Sequence, residues 1–413
     1  MPADDSRDFN IRSVALTAFV PTLLFATGEG AMIPLIPIVA SNLGADLSIA
    51  GLIGAMAMLG RLIGNIPSGV LVSRFGERNA MIGAAAVAGA GSVVSVLSDS
   101  YWVLAVGVLL TGLSTAVFAL ARHSFLTTYV PRRYRARALS TLGGVFRAGS
   151  LAGPFLAAGV IVATGQAQNV LWIFAASSTL AILVLLVLPD PEAALSPAQI
   201  RRAQRSVQGS QTPSLGLFRT IAGHRTVLVR LGSASALMGA MRATRVVVLP
   251  LWAVSIGVQE SHIALIIGIA GAIDFGLFYV GGQIMDRYGR IWGALPSMLG
   301  LGLGFIVLSI SHDLPTNVEL FITVAMVLGV ANSFGSGLLL TLGSDLAPPG
   351  DPAPFLSAWR FVSDFGAAAA PLAVAAGTAT ASLSVATGAM GGLGLVGAFL
   401  LWRYIPRFLP HSR

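Results

Sequence analysis

The chain has no lysine and no cysteine, and only 10% of its 413 residues are charged. Each scarcity excludes something. Without cysteine there can be no disulfide, no thiolate metal site and no cysteine nucleophile. Without lysine there can be no Gly-Lys-Ser/Thr phosphate loop, so ATP is not the expected driving force. A soluble domain carries about 25% charged residues, so this is not a chain whose whole surface meets water. Histidine is also sparse: the five residues are scattered, and among them His123, near the end of an apolar run, stands beside Arg122. No metal constellation follows from that spacing. No enzyme chemistry, metal or cofactor is expected.

What the chain has in quantity is apolar sequence, 55% of its residues, with a mean hydropathy of +0.82. A run of about 20 apolar residues spans the hydrocarbon core as a helix. Twelve such runs follow one another, the first at about Ser13–Ala40, the tenth at about Val318–Leu342 and the last at about Leu383–Tyr404. The expected fold class is all-α integral membrane with 12 transmembrane helices. A transmembrane barrel would show short alternating segments instead.

The net charge of +8 comes from 25 arginines against 17 acids. That excess invites a nucleic-acid reading, but position excludes it. Eighteen arginines fall in the N-terminal segment, in alternate loops or at the C-terminus; the other seven lie inside apolar runs; the opposite loops have none. This asymmetry places both termini and the long central segment in the cytoplasm. The lysine-free, Ala- and Gly-rich composition suits a GC-rich bacterial genome, hence the bacterial inner membrane. Met1–Asn10 lacks a cleavable-signal pattern, so the first run is expected to serve as an uncleaved insertion signal.

The sequence is duplicated. Gly282-Gln283-Ile284-Met285-Asp286-Arg287-Tyr288-Gly289-Arg290 lies between two apolar runs, and Gly69-Val70-Leu71-Val72-Ser73-Arg74-Phe75-Gly76-Glu77-Arg78 lies between two others. Gly69 and Gly282, Arg74 and Arg287, and Gly76 and Gly289 are each 213 residues apart. Past a four-residue insertion the offset becomes 217, pairing Gly112 with Gly329 and Pro154 with Pro371. Residues 1–188 and 224–413 are therefore expected as two parallel six-helix, pseudo-symmetric bundles, joined by a cytoplasmic linker over 189–223 with a short surface helix near Ala198–Val207. Its Arg201, Arg202 and Arg205 could instead contact anionic lipid. Two such halves related by an axis along the membrane normal form a transporter plan, with the site at midplane between them.

Over essentially its whole length the chain resembles the major facilitator superfamily. The Gly-x-x-x-Asp-Arg-x-Gly-Arg loop at Gly282–Arg290 is similar to that family's signature between helices 2 and 3, here in the second-half copy. The first copy departs from it, with Ser73 for the usual Asp and Glu77 for a base. The resemblance implies that Asp286 contributes to a charge network on the cytoplasmic side that holds the outward-facing state. In the fifth run, Gly149-Ser150-Leu151-Ala152-Gly153-Pro154 resembles the antiporter motif of drug-exporting branches. The match is partial, because Ala157 and Ala158 precede Gly159 and Val108 stands where many proton-coupled exporters have Arg. The same glycines are equally read as close helix packing.

Ionisable groups at mid-membrane cost about 2.5 to 3.5 kcal/mol each on insertion scales and usually mark function. Here they are Glu29, Arg61, Arg147, Arg242, Arg245, Asp274, Arg360 and Asp364. The duplication maps Arg61 onto Asp274 and Arg147 onto Asp364. In the family fold helix 2 faces helix 11 and helix 5 faces helix 8, so the resemblance implies two cross-half pairs, Arg61–Asp364 and Arg147–Asp274. The local alternative pairs Asp364 with Arg360 one turn away. Glu29, flanked by Gly28 and Gly30, is the first candidate proton-coupling carboxyl, and Asp274 and Asp364 are the other two; a structural Glu29–Arg242 pair is the alternative. Conformational roles fall to Arg61, Arg147, Asp274, Asp364, Gly69, Arg74, Gly76, Asp286, Arg287, Gly289, Arg290, Gly149, Gly153 and Pro154.

Family geometry surrounds the central cavity with helices 1, 4, 7 and 10 and parts of 2, 5, 8 and 11. Phe25, Glu29 and Met32 share one face of the first run and Met238, Arg242 and Arg245 one face of the seventh. Phe118, Phe146, Arg147, Phe334, Trp359 and Arg360 complete the candidate lining, each aromatic having lipid contact or packing as its alternative. The expected function is secondary active transport by alternating access, as a proton-coupled exporter (antiporter) of small amphipathic molecules or drugs, resting on Glu29, the partial motif and a cavity lined by aromatics and methionine. The alternative is an importer or exchanger of a small organic anion, resting on the intramembrane arginines. Either way the expected partners are a small-molecule substrate, protons and the lipid bilayer, with no nucleic acid, and the chain is expected as a monomer.

Overall fold

A computed structural model of the protein describes residues 11–130, 132–188, 223, 225–348 and 352–409. Twelve helices are long and apolar enough to cross a bilayer. They are α1 (Thr17–Asn42), α2 (Leu47–Phe75), α3 (Glu77–Val96), α4 (Tyr101–Leu126), α5 (Arg137–Thr164), α6 (Ala167–Val187), α7 (Arg225–Ser255), α8 (Glu260–Tyr288), α9 (Ile291–Ser311), α10 (Asn317–Leu346), α11 (Phe355–Thr380) and α12 (Leu383–Phe408). No strand occurs among the described residues. A chain in lipid must satisfy its backbone within each segment, which is what helices do. The protein is a multi-pass, all-α membrane protein. The linker expected over 189–223, with its surface helix, lies outside the described residues apart from Gly223.

The duplication reappears in the packing. α2 lies against α4, α1 against α5 and α6, and α3 against α4 and α6. The same pattern repeats as α8 on α10, α7 on α11 and α12, and α9 on α10 and α12. Equivalent glycines bring backbones together in both halves. A Cβ added at Gly112 would lie 2.2 Å from the carbonyl oxygen of Ala57, and one at Gly329 would lie 2.5 Å from that of Ala270. Gly149 meets the Leu23 carbonyl and Gly366 the Ala236 carbonyl in the same way, at 2.6 and 2.1 Å. Each of these four contacts keeps the offsets read from sequence. The signature turns match as well: Gly76 has φ 78° and ψ 163°, Gly289 φ 98° and ψ 163°. Only glycine adopts that backbone freely.

Between the halves α2 meets α11 and α5 meets α8. The face whose loops lack arginine is joined by specific contacts. Asn42 at the end of α1 donates to Glu260 Oε1 at 2.5 Å, and the Ala167 N–H at the start of α6 donates to Glu260 Oε2 at 3.1 Å. Ser48 donates to the Ala375 carbonyl at 2.9 Å. Below them Gly51 faces Leu251 and Ala375, and Gly268 faces the Phe155 ring.

Four helices depart from uniform α-geometry. α6 opens with a 3-10 turn at Ala167–Val170. α1 tightens to a 3-10 turn at Ile33–Leu35, where Pro34 and Pro37 remove N–H donors. α7 opens with a π-turn at Leu228–Gly232. The tenth run, expected as one continuous helix, is two pieces, Asn317–Phe334 and Leu338–Leu346. Gly335, Ser336 and Gly337 form the break, and Gly337 takes φ 82°, outside the right-handed helical region. The first-half counterparts, Phe118, Ala119 and Leu120, sit in an unbroken helix from Tyr101 to Tyr129.

Candidate functional site

Glu29 is aimed by its neighbours. Gly28 presses α1 against Phe174 and Ser177 of α6, and Gly30 presses it against the Ser150 backbone of α5. Side chains at either position would push the helices apart, so Glu29 projects into the space left between the halves. It is 4% exposed. Its Oε1 accepts from Arg61 on α2, while Oε2 is buried and has no partner among the described residues. Arg61 also lies within electrostatic reach of Arg122 and Asp364.

The second half contributes a cluster of its own. Asp274 on α8 accepts from Asn332 Nδ2 on α10 at 2.7 Å and from Arg245 on α7 at 3.5 Å. Arg242, one turn from Arg245, turns toward the Asn332 carbonyl at 3.5 Å. Arg147 on α5 reaches across the interface. It donates to Ser336 in the α10 break, and its guanidinium carbon stands 4.7 Å from the centroid of the Phe278 ring.

These groups surround a cavity of about 310 Å³, whose charged lining is Glu29, Arg61, Arg147, Arg245 and Asp274. Phe146, Phe275 and Pro154 are among its apolar walls. The volume is at the small end of ligand pockets. Three guanidiniums against two carboxylates leave one positive charge on the wall.

The expected cross-half ion pairs are not made in this conformation. Arg61 takes Glu29, on its own half and closer, so its charge is met without crossing the interface. Asp364 pairs with Arg360 one turn away at 3.8 Å, the local alternative. Arg147 is held by a hydroxyl and a ring, and Asp274 by Arg245 and Asn332 rather than Arg147. The Glu29–Arg242 alternative is not made either.

Several expected lining residues sit off the cavity wall. Phe25 stacks on Phe118 at 4.2 Å and meets Phe174 edge-on, all within the first half. Met32 and Met238 are buried core. Trp359 is buried, donates its indole N–H to the Leu339 carbonyl at 2.8 Å and stacks on Phe355. Phe334 is half-buried beside Gly281, and the Arg360 side chain is 78% exposed. Phe146 does line the cavity and carries Arg122 over its ring at 4.7 Å. Sequence reasoning missed Asn332 and Ser336. The signal was present, since an apolar run interrupted by polar residues and two glycines is the mark of a discontinuous helix at a binding site.

At the arginine-rich face the two signature loops hold similar shapes with different charges. Arg74 lies over Phe75 and Arg287 over Tyr288, at 5.6 and 5.5 Å. Gly69 is half-buried in the last turns of α2. Arg290 donates to Asp345 and to Asp286, each at 2.9 Å, and the Asp345 bond foremost raises its pKa above the usual arginine value. In the first copy Glu77 accepts from Ser124, and Arg78 caps α6 through the Leu185 and Leu188 carbonyls. Gly149 and Gly153 are clasped to the α1 backbone, so the motif's glycines perform close packing, while Pro154 reaches the cavity.

The family model described as Major Facilitator Superfamily matches residues 18–371. The 4-hydroxybenzoate transporter PcaK of Pseudomonas putida is 29% identical over 178 residues, 43% of this chain and 40% of that protein. The class G tetracycline resistance protein of Vibrio anguillarum is 29% identical over 149 residues, 35% of this chain and 38% of that protein. The chain thus spans about two fifths of the length of these two relatives, and 21% of others it matches. A D-xylose–proton symporter crystal structure superposes with a TM-score of 0.74 at 17% identity, over 98% of this chain and 100% of that one. At that identity the likeness speaks for the fold.

Proposed function

Because the chain belongs to the major facilitator superfamily, and is therefore a membrane transporter rather than an enzyme, we propose that it carries a small organic anion by alternating access and couples that movement to protons. One observation carries the reading: the cavity wall holds three guanidiniums against two carboxylates, with a third-side apolar surface from Phe146 and Phe275. Unmatched positive charge in a low-dielectric site favours an anion and penalises a cation. The aromatic and methionine surface on which a drug-exporter reading rested lies largely in the two cores. Similarity to an aromatic-acid transporter agrees with the anion reading.

Glu29 is the proposed proton carrier. Its second oxygen has no partner among the described residues, so a proton can be accepted there without first breaking the Arg61 bond. We take the arginine-rich face as cytoplasmic, the membrane as the bacterial inner membrane, and this conformation, joined at the opposite face, as the inward-facing one. Export of amphipathic compounds is the second reading, favoured by the tetracycline-resistance relative and by Pro154 of the Gly149–Pro154 motif at the cavity wall.

The test is flux in proteoliposomes with a pH dye trapped inside, offering benzoate, neutral benzamide and the lipophilic cation tetraphenylphosphonium. Benzoate-triggered proton movement, lost in Glu29→Gln, is the expected result, and its sign gives the direction. Flux of the cation but not of benzoate would replace the anion reading with the second one.

A further inference from the structure

Of the three arginines on the cavity wall, two have a carboxylate and one does not. Arg61 has Glu29 and Arg245 has Asp274. Arg147 has no carboxylate within salt-bridge distance among the described residues; its one hydrogen-bond partner there is the Ser336 hydroxyl. A guanidinium offers five N–H donors in a planar fork that suits a carboxylate bidentately. Buried unpartnered nitrogens are found on Arg61 and Arg242 but not on Arg147. The unused edge of Arg147 therefore borders open space, and that space is the cavity.

Ser336 reaches Arg147 only because α10 is broken. In an unbroken helix the interval Gly335–Gly337 would follow the course its counterpart keeps in α4, where Ala119 occupies the position of Ser336. The break is thus not demanded by the fold, since the first half does without it. It occurs in the half that must bring a hydroxyl to the other half's cation. The backbone accepts it at Gly337, with φ 82°.

Resting on the anion reading above, we propose that Arg147 is the anchor for the cargo's carboxylate and that Ser336 is the group the carboxylate displaces. The empty carrier is held across its interface by the Arg147–Ser336 bond. Docking exchanges that bond for a stronger, charge-assisted one to the cargo, and releases the lower piece of α10 from α5. The single surplus positive charge of the wall sets the valence: a monocarboxylate neutralises it and a dicarboxylate exceeds it. Phe275 and Phe146 on the cavity wall supply apolar ring surface for the rest of the molecule, while Phe278 backs the guanidinium. A small monocarboxylate with an apolar, ring-sized body is the chemical class that fits.

A carrier latched while empty returns slowly without cargo, so exchange of labelled for unlabelled substrate outpaces net flux. Full-length protein is tested in detergent for binding of radiolabelled benzoate, against benzamide and the dianion phthalate, and in proteoliposomes for the ratio of exchange to net flux. Wild type should bind benzoate at least about tenfold more tightly than either analogue. Arg147→Gln should lose at least about tenfold in affinity, and Arg147→Lys, which keeps the charge without the fork, should fall between. Ser336→Ala removes a competitor worth one hydrogen bond. It should tighten benzoate binding about threefold to tenfold and raise net flux relative to exchange. A purely structural role for Ser336 predicts the opposite sign, weaker binding. Benzoate binding in Arg147→Gln equal to wild type, or weaker or unchanged binding in Ser336→Ala, overturns the anchor-and-latch assignment while leaving anion transport standing. Failure of wild type to bind any carboxylate removes the anion reading and this inference with it.

Discussion

Glu260 offers the sharpest test of how the closed face is held. Its carboxylate stands at the first turn of α8 in the second half and accepts from Asn42 and from the Ala167 N–H, both of the first half. Hydrogen bonds to a charged group contribute about 1.5 to 3 kcal/mol when buried. This end of the bundle is partly open to solvent, and each bond is discounted to about 1 kcal/mol. Losing both in Glu260→Ala should cost the closed face about 2 kcal/mol, a shift of about 30-fold between the two facing states. Glu260→Gln keeps one acceptor oxygen and should give about half that effect. The absence of native cysteine makes the assay clean: Asp99→Cys and Thr316→Cys place one spin label on each half at this face, both at exposed positions. Electron–electron distance distributions should gain a longer component in the Ala variant and a smaller one in the Gln variant. Superimposable distributions for all three proteins would refute the claim that Glu260 joins the halves.

Other consequences follow from single positions. Gly337→Ala forces a side chain into a left-handed conformation and should cost about 1 to 2 kcal/mol, read as a lower melting temperature in detergent that Gly159→Ala, with open space around it, does not share. Gly153→Ala places a Cβ 2.3 Å from the Ala31 backbone nitrogen and should destabilise by about 1 to 3 kcal/mol through overpacking, with reduced yield of folded protein in size-exclusion profiles. Asp345→Asn should destabilise more than Asp286→Asn, by about 1 kcal/mol against a few tenths, because Asp286 is 77% exposed and Asp345 32%. The Arg290 pKa is raised in the folded protein, so its contribution is fully present below the unfolded arginine value and is lost only as pH climbs through the still higher folded one. The Asp345→Asn deficit should therefore persist undiminished as pH is raised through the neutral range into the mildly alkaline.

The architecture was legible because it is written redundantly. Twelve apolar runs and two offsets constrain one another, and the Ala57–Gly112 and Ala270–Gly329 contacts obey both offsets at once. Helical rise put Arg61, Arg147 and Asp274 at one level, and all three line the cavity, while Asp364, assigned the same level, does not. The partners of these charges were not legible, because pairing is decided by side-chain reach over a few ångströms. Arg61 and Glu29 share a half, and that proximity outweighs the symmetry argument that sent Arg61 toward Asp364. Helical spacing put Phe25 and Glu29 on one face, yet a face this wide is divided: Glu29 meets the cavity while Phe25, one turn away, meets Phe118 and Phe174. The α10 break escaped notice because hydropathy averages over a window, whereas a break is a matter of one residue's φ.

The glycine clasps carry an evolutionary consequence. Within each half, helices are locked backbone to backbone at Gly112, Gly149, Gly329 and Gly366, where any larger residue collides. The cavity side chains Glu29, Arg61, Phe146, Arg147, Arg245 and Asp274 belong to none of those contacts. Selection can therefore rewrite those cavity side chains residue by residue while the scaffold stays rigid, whereas Ala57, Ala270, Gly30 and Ser150 serve both the wall and the helix packing. Laboratory evolution toward a new cargo should accumulate its changes on the cavity wall and leave the clasp glycines untouched.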